Sequence, residues 1–173
     1  PGTAPRGIAV SPDHSRLYVA NSGTSAVAVI DRAAGTVIST VPVGNGPFGL
    51  AITPNGATVV TANTNGNSAS FVDSGTNTLL GTIPVGMQPY GVATSPDGLL
   101  AYVANFGSNS VSVIDIATRT VVESIPVGLG PFGIAVKSDG TRLYVTDNQN
   151  RVSIVDAVAR KSIGSIPVGS HPQ

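Results

Sequence analysis

PYGVATSPDGLLAYVAN, residues 89–105, decides the fold, because the chain repeats it four times. The same positions read PRGIAVSPDHSRLYVAN at 5–21, PFGLAITPNGATVVTAN at 47–63 and PFGIAVKSDGTRLYVTD at 131–147. Pro5, Pro47, Pro89 and Pro131 stand 42 residues apart, each followed two places later by Gly7, Gly49, Gly91 or Gly133. A fixed period of this length is the signature of a repeat architecture. Outward from that stretch the register continues through Asp31, Asp73 and Asp115. In the fourth copy Asp156, Pro167 and Gly169 resume the series one place early, so one residue is missing between Asn148 and Arg151. Length changes of this kind fall in loops.

Each unit contains four short β-type runs, as in Gly7–Val10, Leu17–Ala20, Val27–Asp31 and Thr36–Val43 of the first copy. None has helical period. Ser11-Pro12-Asp13-His14, Thr53-Pro54-Asn55-Gly56, Ser95-Pro96-Asp97-Gly98 and Lys137-Ser138-Asp139-Gly140 separate the first two runs. Proline presets φ and Asn/Asp-Gly tolerates positive φ, so these are tight hairpin turns. Four antiparallel strands per unit follow. A lone meander of that size buries too little apolar surface to be stable, and copies must stack face to face. Radial stacking gives a β-propeller; a β-solenoid is the weaker alternative, since its turns are shorter and less hairpin-like. The expected fold is all-β, a propeller segment with blades at 5–46, 47–88, 89–130 and 131–171.

The motif set Pro-x-Gly-Ile-Ala-Val-Ser-Pro-Asp-Gly, then Tyr18-Val19-Ala20-Asn21, Tyr102-Val103-Ala104-Asn105 and Tyr144-Val145-Thr146-Asp147, then Val-Ser-Val-Ile-Asp and Ile-Pro-Val-Gly, resembles the YVTN-type β-propeller repeat over nearly the whole chain. The second copy departs from it, with Val60-Thr61-Ala62-Asn63 lacking the tyrosine. The resemblance implies the propeller fold and an extracytoplasmic location: secreted, periplasmic or on the cell surface. Related propellers include lactonases, a streptogramin lyase, haem-binding nitrite reductase domains and a periplasmic DNA-binding protein, so it implies chemistry weakly.

Pro1-Gly2-Thr3-Ala4-Pro5 aligns with the inter-blade linker Val43-Gly44-Asn45-Gly46-Pro47, and Val168-Gly169-Ser170-His171-Pro172 is a further copy of it. Five linkers for four blades raise the expectation of a longer array, or of union with another copy. A homodimer with Gln173 of one chain near Pro1 of the other would complete an eight-bladed ring; a closed four-bladed monomer is the rival. An open arc is disfavoured because it exposes two apolar faces.

Composition narrows the function. Nine basic residues balance nine acidic ones and only 10% of the chain is charged, which argues against nucleic acid as a partner. With no cysteine there are no disulfides or thiolate metal sites. No apolar stretch approaches the roughly 18 residues of a membrane span, so membrane insertion is not expected. No charged segment followed by an apolar one opens the sequence, and any signal peptide lies outside this stretch.

The position between Pro and Gly, nearest the axis, carries Arg6, Phe48, Tyr90 and Phe132. Three aromatics and an arginine there can stack on a planar or ring-shaped ligand, with Arg6 for an anionic group, or can plug the channel by packing on each other. Asn21, Asn63, Asn105 and Asp147 form a secondary ring on the same face, which can surround a polar ligand or a cation or, more economically, make Asx-turns that satisfy loop amides. Asp31, Asp73, Asp115 and Asp156 end the third strands on separate blades and read as turn caps rather than a metal ladder. His14 and His171 lack metal-ligand spacing. Gly44-Asn45-Gly46 and Gly128-Leu129-Gly130 precede no helix and are not phosphate cradles. No Gly-x-Ser-x-Gly or Ser-x-x-Lys motif is present. These observations give a noncatalytic binding module with no catalytic residues, no metal and no cofactor, recognising a small molecule, glycan or protein on its axial face. An enzyme of the lactonase or lyase type and a purely structural surface-layer repeat are the alternatives.

Overall fold

In the computed structural model, residues 2–169 and Pro172 are described. The linker histidine His171 and the Pro1–Gln173 junction therefore lie outside the described residues. The first blade comprises β1 (Pro5–Val10), β2 (Arg16–Asn21), β3 (Ala26–Asp31) and β4 (Thr36–Pro42). The second comprises β5 (Pro47–Ile52), β6 (Thr58–Asn63), β7 (Ser68–Asp73) and β8 (Thr78–Pro84). The third has β9 (Pro89–Thr94), β10 (Leu100–Asn105), β11 (Ser110–Asp115) and β12 (Thr120–Pro126). The fourth has β13 (Ile134–Val136), β14 (Arg142–Asp147), β15 (Arg151–Asp156) and β16 (Lys161–Pro167). Each blade is a separate four-stranded sheet in sequence order, antiparallel throughout. The runs read from the sequence are these strands, a residue or two longer at their ends.

The turns have the chemistry their sequences call for. In the first hairpin the Ser11 hydroxyl and the Ser15 amide both donate to the Asp13 carboxylate. Gly56, Gly98 and Gly140 sit at φ +74°, and His14 takes the same left-handed conformation at φ 59°. After β2, β6 and β10 the chain makes one 3₁₀ turn and a left-handed residue, Ser25, Asn67 or Asn109. The fourth copy lacks that 3₁₀ turn and connects β14 to β15 through Asn148, Gln149 and Asn150 alone, which is where its missing residue went.

Apolar side chains from adjacent blades meet in three cores. Tyr18, Val27, Val29 and Val41 of the first blade cover Leu50, Val59 and Val72 of the second. Val60, Ala69 and Phe71 cover Ala101, Val103 and Ile114 of the third. Tyr102, Val111, Val113 and Ile125 cover Leu143, Val145 and Val155 of the fourth. Alternation along each strand gives every blade two apolar faces, and burial of both drives assembly. Among the described residues no core joins the fourth blade to the first. Of the arrangements weighed from the sequence, the described residues thus form not the closed four-bladed ring but the open arc that the exposed apolar faces argued against.

Candidate functional site

Inner strands β1, β5 and β9 define the axis. Their ladders pair Pro5, Pro47 and Pro89 with Asn21, Asn63 and Asn105, then slip, so that two residues oppose one. This bulge falls on Arg6-Gly7, Phe48-Gly49 and Tyr90-Gly91. An extra residue bends a strand locally and re-aims its side chain. The glycine is dictated by the neighbouring blade. A Cβ on Gly7 would stand 2.5 Å from the Phe48 carbonyl oxygen, one on Gly49 2.2 Å from that of Tyr90, and one on Gly91 2.3 Å from that of Phe132. Adjacent inner strands thus pack backbone on backbone. In the fourth blade β13 is short, and Gly133 is held instead by its amide donating to the Thr146 hydroxyl at 2.8 Å.

The bulges bring the four axial residues together. Phe48 and Tyr90 meet edge to face at 4.9 Å between centroids, Phe48 and Phe132 edge to face at 5.6 Å, and Tyr90 stacks on Phe132 at 4.7 Å. The Arg6 guanidinium lies 5.4 Å from the Phe48 centroid. Each such aromatic contact contributes about 0.5–1.5 kcal/mol beyond area burial, enough to fix the rings. The three rings remain half-exposed and Arg6 is exposed. With Gly7, Gly49, Gly91 and Gly133 they line a pocket of about 400 Å³ that is open to solvent. Packing on one another and facing a pocket, read from the sequence as alternatives, coexist here.

Sequence reasoning missed Phe106, whose ring meets Tyr90 edge to face at 5.6 Å. It extends the aromatic cluster outward over the third blade. Its signal was available: at that loop position the other copies carry Ser22, Thr64 and Asn148.

The secondary ring behaves differently. Asn21, Asn63, Asn105 and Asp147 are buried, and none lines the axial pocket. The Asn63 amide donates to the hydroxyls of Ser68 at 3.0 Å and Ser70 at 2.9 Å, and Asn105 donates to Ser110 and Ser112. The Oδ1 atoms of Asn63 and Asn105 are left without a partner. The linker closes over this node: the Gly44 amide donates to Ser70 at 3.1 Å, and a Cβ on Gly44 would be 2.4 Å from the Asn63 amide nitrogen. The asparagines hold the incoming linker against the next blade. No side-chain cap forms on the 3₁₀ turns at Asn21, Asn63 or Asn105; only Asp147 accepts from a loop amide, that of Gln149 at 2.9 Å.

Carboxylates gather at the opposite end of the strands and act on turns. Asp31 accepts from the Ala34 amide, Asp73 from the amide and hydroxyl of Thr76, Asp115 from those of Thr118, and Asp156 from the Ala159 amide. These bonds favour the charged form and lower the pKa of Asp73, Asp115 and Asp156. In the hairpin turns, hydroxyl and amide donors from Ser11 and Ser15 hold Asp13 at about 2, and Ser95 and Leu99 lower Asp97. Asp139 is lowered first by Lys137, which lies 2.6 Å away. Two clefts of about 340 and 480 Å³ open between neighbouring turns at this end, one beside Asp13 and Arg16 and the other beside Asp97 and Arg160. Among the described residues no three metal-ligating side chains converge.

Similarity to known proteins follows the geometry. The sequence model of the YNCE-like beta-propeller family matches residues 99–173. A structure of Kuenenia stuttgartiensis hydrazine synthase superposes over 96% of this chain with a TM-score of 0.92 and 30% identity. The chain has the β-propeller fold and is similar to propellers of the YVTN/YncE type. A protein of unknown function from Desulfotomaculum acetoxidans DSM 771 shares the fold over 98% of this chain, with a TM-score of 0.83 and 19% identity. The propeller segment spans 50% of the first of those chains and 58% of the second. No curated protein matches it.

Proposed function

We propose that this propeller segment is a noncatalytic binding module of an extracytoplasmic protein, and that it recognises its ligand on the axial face. One observation carries the reading. At the single repeat position that points to the axis, four blades place Arg6, Phe48, Tyr90 and Phe132, and these converge on an open pocket of about 400 Å³. Apolar walls with one exposed cation suit a planar or ring-shaped ligand bearing an anionic group. The extracytoplasmic location rests on the repeat's resemblance.

Support for a noncatalytic role comes from the lining itself. Among the described residues Arg6 and Tyr90 are its titratable side chains, and no carboxylate or imidazole of theirs lines the pocket to serve as a general base. One observation supports a second reading, in which the propeller is part of a larger enzyme: the 30% identity to a structure of hydrazine synthase. In that case the axial face binds a reactant or partner while the chemistry is done elsewhere.

Titrating the chain with aromatic carboxylates, oligosaccharides, peptides and cell-wall fragments tests the site. Phe48→Ala and Tyr90→Ala each weaken the bound class about tenfold, the loss of roughly 1.4 kcal/mol expected for one stacked ring. Affinity unchanged in both variants sinks the site.

A further inference from the structure

We infer that the cleft between the third and fourth blades, at the turn end of the propeller away from the axial pocket, binds a small zwitterion that carries an ammonium and a carboxylate on an apolar body. Both walls of this cleft belong to the chain. The third blade supplies Asp97, Leu100 and Tyr102 and the fourth supplies Asp139, Val158 and Arg160, around a volume of about 480 Å³. That size is ordinary for a small-molecule site. The matching cleft between the first and second blades is open too, although the second blade is itself covered by the third. Openness therefore belongs to the seam between two blades and does not require a bare blade face.

Tyr102 is 2% exposed and lines the cleft, yet its hydroxyl makes no hydrogen bond among the described residues. A phenol buried this deeply ordinarily has a partner. Burial raises its pKa, Asp97 raises it further and Arg160 lowers it, so both charges lie within electrostatic reach of that one oxygen. The two charges do not meet each other. Ion pairs among the described residues join Lys137 to Asp139 at 2.6 Å and Arg142 to Asp156 at 2.8 Å, which leaves Asp97 and Arg160 unpaired on the walls of one cleft. Asp97 is kept ionised by the Ser95 hydroxyl and the Leu99 amide, both of which donate to its Oδ1, and its Oδ2 is left for a further donor. Opposite charges that share a cleft without pairing are complementary to a ligand with one charge of each sign. Its ammonium is placed on Asp97, its carboxylate on the Arg160 fork, and the Tyr102 hydroxyl bonds between them. Leu100 and Val158, the latter 78% exposed, offer the apolar contact.

The cleft between the first and second blades shows the same parts already engaged. Arg16 there donates to the Ser74 carbonyl, and Ser11 and Ser15 take both carboxylate oxygens of Asp13. Tyr18 lines that cleft, but the charges beside it are held by the chain's own groups. In the second blade Val60 stands in the tyrosine's place and brings no hydroxyl.

Calorimetric titration of the whole chain with L-leucine and with the dipeptide leucyl-leucine tests the inference, since the two differ in the span between their charges. At least one of them binds saturably at one site per chain. Its N-acetyl and C-terminal amide forms, each lacking one charge, bind about tenfold more weakly or worse, as loss of a hydrogen bond to a charged group dictates. Asp97→Asn and Arg160→Asn each cause a similar loss with unchanged circular dichroism. Both replacements have a precedent in the second blade: Asn55 accepts the corresponding turn bonds from Thr53 and Ala57, and Asn77 holds the left-handed place of Arg160 at φ 55° against 52°. Tyr102→Phe weakens binding several-fold, and Tyr18→Phe leaves it unchanged. No saturable binding of either zwitterion overturns the inference. So do singly charged forms that bind equally well, an affinity indifferent to Asp97→Asn, Arg160→Asn or Tyr102→Phe, and a loss on Tyr18→Phe.

Discussion

Tyr102 and Tyr144 hold the same place in consecutive blades, yet Tyr102 is 2% exposed and Tyr144 36%. Their strands pair alike, Tyr102 with Val113 and Tyr144 with Ile154. The difference lies wholly in what stands in front. Beyond Tyr102 come Leu143, Val145 and Val155 of the fourth blade; among the described residues none stands in front of Tyr144 in the same way. A blade is therefore not a small domain with its own interior. Its interior is built at the seam with its neighbour, and hydrogen bonding supplies only the sheet that carries the side chains.

Substituting the two tyrosines breaks the comparison most sharply. At a concentration where the chain is monomeric, Tyr102→Ala costs about 3 kcal/mol, the usual range for truncating a large buried ring, whereas Tyr144→Ala falls within about 0.5 kcal/mol of wild type. Urea unfolding of both variants checks this, and equal losses would mean that the fourth front is covered. Burial also pushes the Tyr102 phenol up, so its ionisation should lag behind ordinary tyrosine in an alkaline absorbance titration.

Next in size comes a glycine pair. Gly49→Ala places a methyl group against the Tyr90 carbonyl, which is backbone and cannot move aside, and costs about 2–3 kcal/mol by overpacking. Gly164→Ala on the outer strand of the fourth blade meets nothing within 4 Å and stabilises the chain by about 0.5 kcal/mol through the unfolded state. Thermal melts of the two variants should move in opposite directions.

The smallest effect is on the turns. Asp13, Asp73, Asp97 and Asp115 are depressed by hydrogen-bond donors present only in the folded chain. On acidification the unfolded chain takes up protons first, through about pH 4. The stability these groups contribute is thus complete above that value and is lost as pH falls toward about 2, where Asp13 titrates in the fold. The melting temperature should be flat from pH 5 to 7 as far as these groups act and decline below pH 4, with a shallower decline in the Asp73→Asn, Asp115→Asn variant. An unchanged acid limb would remove the turn carboxylates from the stability of the fold.

Much of this was legible in the sequence, for reasons that can be located. Pro-x-Gly repeating with Asn21, Asn63 and Asn105 set the strand number, the turn ends and the axial position, because each of those residues answers a backbone demand that recurs in every blade. The single-residue loss between Asn148 and Arg151 was readable because a loop alone can absorb it. What escaped was long-range. Asn63 read locally is a turn former, yet its amide reaches Ser68 and Ser70 on the next strand. The serines stood in view five and seven residues on. Phe106 escaped because a lone aromatic in a loop carries no period. Whether the fourth blade touches the first depends on how strongly successive blades splay, and that angle follows from how closely neighbouring backbones approach, which the residues of one repeat do not give.

That angle has a material origin in the inner-strand glycines. The splay of a blade stack is the difference between its outer and inner spacings, and at Gly7, Gly49 and Gly91 the inner spacing has reached its floor, with the neighbour's carbonyl oxygen where a methyl would otherwise stand. Any side chain at these positions would spread the hub, flatten the wedge and enlarge the ring needed to come full circle. The circumference of this propeller is thus governed at its centre, by one carbon atom that each blade does without.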